Sequence, residues 1–405
     1  MMNVNEIKHE LTNHMIPFWN SLVDNENGGF YSYVDHDLIV NKGSFKSAIL
    51  HARILWFYSN CYLVLKDEKC LNLAKHCYDF MVKHFIDKES GGIFWSVNVK
   101  GVPANPMKHI YCHAFFLYAL SSYYDATKDS LAMNNAMRMF ELIETQMCDT
   151  IGYRECFDRD WNLIDNDELS ENGIKAEKTM NTILHLIEAY TELYRVNKNG
   201  DVLTRLKYLL ELIHDRVYDK PNRRLNVFFD NNMNVLGNIY SYGHDIEAAW
   251  LLNRAIDIAG EPPGANQAAP GSTSSLPVDL CEKIREMSKV LAAKIDEVAF
   301  DEDGSMYYEN DNGMVNKKRV WWVQAEALVG FLDAHEVSGE QKYLDRATRM
   351  WEYIKARVID RRPGGEWYNE LNKDGVPDTT MPTVDEWKCP YHNGRMCLQV
   401  IARGE

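Results

Sequence analysis

The chain has no surplus of positive charge. Of its 405 residues, 44 are Lys or Arg and 59 are Asp or Glu, a formal net charge of −15. Nucleic acid and anionic membrane surfaces both need clustered cations, so neither is an expected partner. No uninterrupted apolar run reaches membrane-spanning length. The first ten residues, with Glu6, Lys8 and Glu10, lack the apolar stretch of a secretory signal. No two of the nine cysteines form a Cys-x-x-Cys pair. Their odd number and scatter suit reduced, mostly buried thiols, and the location expected from all this is the cytoplasm. Also missing are Gly-x-Gly-x-x-Gly after a strand, a Walker loop and a Gly-x-Ser-x-Gly elbow. Nicotinamide folds, nucleotide binding and serine-hydrolase chemistry lose their support with them.

What is present is a six-fold pattern, usually glycine followed by aromatic residues in a strand-like run, with a weaker fourth copy that lacks the glycine. It reads Gly28-Gly29-Phe30-Tyr31, Gly91-Gly92-Ile93-Phe94-Trp95, Gly152-Tyr153-Arg154, Leu225-Asn226-Val227-Phe228-Phe229, Gly304-Ser305-Met306-Tyr307-Tyr308 and Gly364-Gly365-Glu366-Trp367-Tyr368. Polar turns such as Asn372-Lys373-Asp374-Gly375 let each copy form a small hairpin. Between consecutive copies, apolar residues recur at helical spacing in two segments. The pairs are 48–65 with 70–85, 109–126 with 132–147, 179–196 with 202–217, 245–258 with 277–298, and 320–337 with 342–358. A lone helix over 391–403 and another over 5–22 supply a sixth pair and close a ring. The expectation is an all-α (α/α)6 barrel, a six-hairpin toroid with short β-hairpins in its loops. Length alone allows two or three domains, but the repeat makes 1–405 one catalytic domain. The composition breaks once, at 260–277, which reads as a flexible loop between two helices.

The first helix of each pair should face the hole. Aligned on their downstream turns, these helices place His185, Arg53, Phe115, Glu247 and Glu326 at one level, and Asn181, Ile49, Tyr111, Gly243 and Trp322 one turn earlier. Arg53 has apolar flanks, so its charge must find a pocket or a carboxylate. His244 opens a helix, and Glu247 three residues on can orient its imidazole. His392 follows Pro390 at another helix start. Trp250, Trp321, Trp322 and Trp387 could stack on sugar rings, whereas Trp56 and Trp351 read as core. His109 and His113 are four apart but lack a third ligand at suitable spacing, so structural roles are expected for them.

The stretches Leu50-His51-Ala52-Arg53-Ile54-Leu55-Trp56, Met180-Asn181-Thr182-Ile183-Leu184-His185, Ser241-Tyr242-Gly243-His244-Asp245-Ile246-Glu247, Arg319-Val320-Trp321-Trp322-Val323-Gln324-Ala325-Glu326 and Trp387-Lys388-Cys389-Pro390-Tyr391-His392-Asn393-Gly394-Arg395 resemble the N-acylglucosamine 2-epimerase family nearly end to end. That resemblance implies an (α/α)6 barrel that interconverts sugars epimeric at C2 without a cofactor or metal. It implies His244 and His392 as the acid/base pair, and Arg53 and His185 as stabilisers of the intermediate. Tyr111, Asn181, Glu247, Trp250, Trp322, Glu326 and Trp387 would hold the substrate, a small-molecule disaccharide. The chain would act as a monomer or weak homodimer. The 260–277 loop departs from the family by its length.

The chemistry suits these side chains. A C2 hydrogen becomes removable only once the sugar ring opens to an aldehyde. Imidazole titrates near neutrality, so it both takes and returns a proton, and inversion needs one imidazole on each face. The enediolate oxygen needs fixed donors in a sheltered pocket. Four alternatives remain at this stage: a glycoside hydrolase using Glu247 and Glu326, an aldose–ketose isomerase, an N-acylglucosamine epimerase, and a sugar-binding toroid without activity.

Overall fold

The computed structural model describes residues 3–166, 168, 173–260 and 275–404. The chain enters as α1 (Val4–Glu10), which runs through a π-helical turn, Leu11–Met15, into α2 (Ile16–Ser21). There follow α3 (Ala48–Leu65), α4 (Glu68–His84), α5 (Ile110–Thr127), α6 (Ser130–Leu142), α7 (Met180–Asn197), α8 (Gly200–Leu212), α9 (Tyr242–Ala259), α10 (Val278–Val298), α11 (Trp321–Ser338), α12 (Gln341–Tyr353) and α13 (His392–Gly404). The odd-numbered helices from α3 to α13 pack side by side, and α13 returns to α3, which closes an inner ring. The other helices lie outside it, and α1 packs on α13, so the two lone helices form the sixth pair as the repeat pattern requires. The fold is the expected (α/α)6 barrel. The break at 260–277 falls mostly outside the described residues.

Helix ends explain the pairing. Lys66, Lys128 and Lys198 adopt left-handed φ of 56°, 58° and 52°, and the glycine equivalent to them, Gly339, has φ 74°. One residue on, Asp67, Asp129 and Asn199 cap the next helix by accepting from the N–H groups of Lys69, Leu131 and Asp201. A two-residue turn thus reverses the chain from inner to outer helix. The α3 helix has the length and apolarity of a membrane span, but it is a core helix, buried between α4, α5 and α13.

A second repeated device ties each Gly-aromatic hairpin to its inner helix. Just before five of the six inner helices stands a buried cation, and Tyr240 holds that place before α9. Lys46 Nζ lies 2.7 Å from Asp24, Lys108 Nζ 2.9 Å from Asp87, and Lys178 Nζ 3.1 Å from Asp149. Arg319 lies 2.6 Å from Asp301, and Lys388 pairs with Glu366. Five residues after this place, in four of the repeats, a polar side chain catches a hairpin N–H. His51 Nε2 accepts from Phe30 N and His113 Nε2 from Ile93 N, both at 3.1 Å. Asp245 accepts from Leu225 N, and Gln324 Oε1 from Met306 N. A Cβ on Gly29 (φ 68°) would lie 2.8 Å from His51 Nε2, and one on Gly92 (φ 69°) 2.7 Å from His113 Nε2, so no larger residue fits the second glycine of either doublet. His109 caps α5 through Nδ1, and His113 donates from Nδ1 to the His109 carbonyl. Both are structural, as expected.

Candidate active site

Seven residues after each cation, or after Tyr240 in the repeat of α9, comes the side chain of the ring level: Arg53, Phe115, His185, Glu247, Glu326 and Arg395. Together with the turn before it, this level surrounds a cavity of about 280 Å³. Arg53, Tyr111, Asn181, His185, His244, Glu247, Trp322, Trp387 and His392 all line it, so nine of the eleven sequence-derived candidates converge. The other two stand behind the wall. Trp250 donates from Nε1 to Glu326 Oε2 at 2.9 Å, and Glu326 Oε1 accepts from His392 Nδ1 at 2.8 Å. Their expected place against a sugar is corrected to a supporting one. Trp321 lines the cavity, whereas Trp56 and Trp351 are buried core.

Arg53 is 3% exposed. It donates to Tyr111 Oη at 2.9 Å and to the Trp387 carbonyl at 3.3 Å, and its guanidinium carbon lies 4.3 Å from the Phe115 ring centre. Among the described residues no carboxylate pairs with it. The stacked rings hold the cation, and Tyr111, Cys389 and Tyr391 keep its pKa above the usual value against the opposing effect of burial. The charge thus found a ring-lined pocket rather than a carboxylate.

The histidines differ in what stands behind them. His185 Nδ1 bonds Glu188 Oε2 at 2.9 Å. Burial raises the Glu188 carboxyl, but Arg395 foremost, with His185 and Tyr391, outweighs it and holds the group at about 2. His392 Nδ1 bonds Glu326. Glu326 also takes hydrogen bonds from Trp250 and Arg395, a donor set that suits an ionised carboxylate. His244 Nδ1 bonds the Ser241 hydroxyl at 2.7 Å. Glu247, expected to orient His244, instead pairs with Arg395 and lies 3.9 Å from His392 Nδ1. The helical turn that brings residues 244 and 247 together angles Glu247 toward α13. Burial lowers the pKa of all three imidazoles; Arg395 and Arg53 push His392 further down, and the neighbouring His185 does the same to His244. The direction of these shifts favours the neutral form of the rings, which can accept a proton. The Trp322 ring centre lies 4.8 Å from that of His244 and 5.4 Å from that of His392, so the imidazoles are no further apart than those two lengths end to end.

Sequence reasoning missed Arg395, Tyr391 and Glu188. Arg395 binds Glu188, Glu247 and Glu326 together, and Tyr391 Oη donates to Glu188 at 2.5 Å. The clue was there: Arg395 follows Lys388 by the same seven residues that separate Arg53 from Lys46. Glu247, Glu326 and His392 offer three ligand atoms within 4.8 Å of one another. The Arg395 guanidinium already sits on both carboxylates, so a cation's place in that trio is filled by the chain itself.

The family profile for N-acylglucosamine 2-epimerase (GlcNAc 2-epimerase) matches residues 28–392. The chain belongs to the N-acylglucosamine 2-epimerase family. Within this family it is 50% identical to the cellobiose 2-epimerase of Ruminococcus albus, over 100% of this chain and 99% of that one. A solved sugar epimerase from a ruminal bacterium superposes with a TM-score of 0.93 at 49% identity, covering 99% of both chains. The solved cellobiose 2-epimerase of Bacillus thermoamylovorans gives 0.91 at 41% identity, again over 99% of both. Family membership makes the chain a carbohydrate epimerase, an isomerase acting on a small-molecule sugar.

Proposed function

We propose that the chain is a cellobiose 2-epimerase. It converts the reducing-end glucose of a β-1,4-linked disaccharide such as cellobiose or lactose to mannose, and back. One observation carries this reading: the carboxylate-free guanidinium of Arg53 shares a cavity with imidazoles presented by two different helices, α9 and α13. The sugar ring opens by proton transfer between the ring oxygen and the C1 hydroxyl. One of His244 and His392 then takes the C2 hydrogen as a proton, leaving an enediolate whose oxygen faces Arg53 and His185. The other imidazole, protonated, returns a proton to the opposite face of C2. Buried donors fixed in advance stabilise the developing oxyanion more than water would. Electrons return to the carbon they left, so the step consumes no oxidant or reductant.

Tyr111, Asn181, Glu247, Trp322 and Trp387 position the sugar, with the two indoles offering flat apolar faces. Glu326 and Trp250 act through His392. Hydrolysis is disfavoured because Glu247 and Glu326 are clasped by one guanidinium, and Glu326 lies behind an imidazole rather than across a scissile bond. We further propose that 1–405 works as one catalytic domain in the cytoplasm, as a monomer or weak homodimer. Incubation with cellobiose, lactose and N-acetylglucosamine, with chromatography of the products, tests the assignment. An intact epimeric disaccharide from the first two is expected; release of glucose, or turnover of N-acetylglucosamine alone, would overturn it.

A further inference from the structure

Ser241 departs from the capping role of its counterparts before α3, α5 and α7, and unlike Val320 before α11 it has a side chain able to cap. The residue before each inner helix is its N-cap. Ser47 Oγ accepts from Leu50 N at 3.2 Å, His109 Nδ1 from Tyr111 N at 3.1 Å, and Thr179 Oγ1 from Thr182 N at 3.1 Å. Serine is among the best residues for that task. Yet Ser241, at the same place before α9, makes no cap bond, and its hydroxyl lies 2.7 Å from His244 Nδ1 instead. A side chain well suited to stabilise a helix end has been diverted to an imidazole that lines the cavity. Local rules given up in this way mark functional positions.

We infer that Ser241 is a positioning residue for His244: it holds Nδ1 so that Nε2 faces the substrate, and it leaves the two acid/base imidazoles unequally backed, one by a hydroxyl and the other by a carboxylate. The inference rests on the two-histidine reading above. Glu326 accepts from His392 Nδ1 and strengthens that bond when His392 becomes an imidazolium. The Ser241 hydroxyl accepts from His244 Nδ1–H when His244 is to act as base, and it can rotate to donate when the hydrogen sits on Nε2. His244 occupies in its repeat the place that His392 occupies in the sixth, four residues after Tyr240 and Lys388 respectively. Equivalent scaffolding therefore presents two imidazoles with different support.

The test is Ser241→Ala, with Ser241→Thr as the variant that keeps the hydroxyl. The equilibrium between epimers is a property of the sugars, so S241A must lower kcat/KM by the same factor from both sides. A factor of about ten matches the loss of one hydrogen bond in the transition state. The isotope behaviour must differ by side. For the epimer that gives its C2 hydrogen to His244, the kinetic isotope effect with C2-deuterated sugar should rise in S241A. For the other epimer, protonation by His244 is slowed, so in D2O more solvent deuterium should appear in recovered starting sugar per product formed. S241T should resemble the parent, and the Tm of S241A should be unchanged because no cap bond is lost. Unaltered kcat/KM, equal isotope changes from both epimers, or a lowered Tm without the asymmetry would each make Ser241 a helix-end residue only. If the parent itself places no deuterium at C2, the two-histidine reading fails; if the parent does and S241A matches it, this inference alone fails.

Discussion

His392 is 6% exposed and is held from behind by Glu326, so its geometry is set before any sugar arrives. Replacing it with Asn keeps a polar side chain but removes the proton acceptor. His392→Asn is expected to lower kcat by about 10³-fold, while calorimetric titration still detects cellobiose binding through Arg53, Trp322 and Trp387. Near-parental turnover in a folded variant would remove His392 from the reaction. Arg395 is a different case, because it touches no proposed reacting atom and instead neutralises Glu188, Glu247 and Glu326. Arg395→Met leaves three buried carboxylates without their partner, and urea unfolding should show a loss of about 3–5 kcal/mol. A variant as stable as the parent would mean that the carboxylates do not depend on this cation. Arg53 and His185 were legible as polar residues on otherwise apolar helices, and His244 and His392 by their place at helix starts and by the family resemblance. Arg395 was not, because the inner helices were matched by the turns that lead into their outer partners, whereas α13 pairs with α1 from the other end of the barrel sequence. Trp250 and Glu326 were placed one layer too far inward, since spacing along a helix sets a level but not a depth.

At the scale of the element, the sequence located the described helices to within a few residues, since apolar periodicity is strong in the amphipathic outer helices and the inner ones read as long apolar runs. Left-handed Lys66, Lys128 and Lys198 escaped notice because lysine carries no sign of that conformation. The catch between His51 or His113 and a hairpin N–H also escaped, because it joins residues about twenty apart. It has a consequence for pH. Burial, the largest effect, takes both imidazoles down to about 3, against about 6.5 in an unfolded chain. Below about pH 6.5 the unfolded chain binds more protons, so each histidine removes stability as pH falls, by about 1.4 kcal/mol per unit. Gln324 makes the same catch with a group that does not titrate. The double variant H51Q/H113Q should therefore lose less stability than the parent between about pH 7 and pH 5, measured by urea unfolding at both. Equal losses would show that these imidazoles do not govern acid sensitivity.

For the whole molecule, the decisive feature is closure of the ring where α13 meets α3. Gly394 is the contact point: a Cβ there would lie 2.6 Å from the Phe57 ring. Gly394→Ala must push apart the two helices that carry His392 and Arg53. Overpacking of this kind costs about 1–3 kcal/mol, so both Tm and kcat should fall; an unchanged Tm would mean that the ring can open there freely. Closure was readable from the two unpaired terminal helices, whereas the tight fit at Gly394 was not, because a contact across the chain's two ends leaves no local trace. The ring matters because it brings imidazoles from α9 and α13 to one carbon. The most direct measurement is NMR of cellobiose turned over by the protein in D2O. Deuterium should enter at C2 of the reducing-end sugar, in the mannose-containing product and eventually in the recovered substrate, with the glycosidic bond intact. Epimer formation with the C2 hydrogen retained from substrate under every condition, or deuterium at C1 alone, would contradict the account.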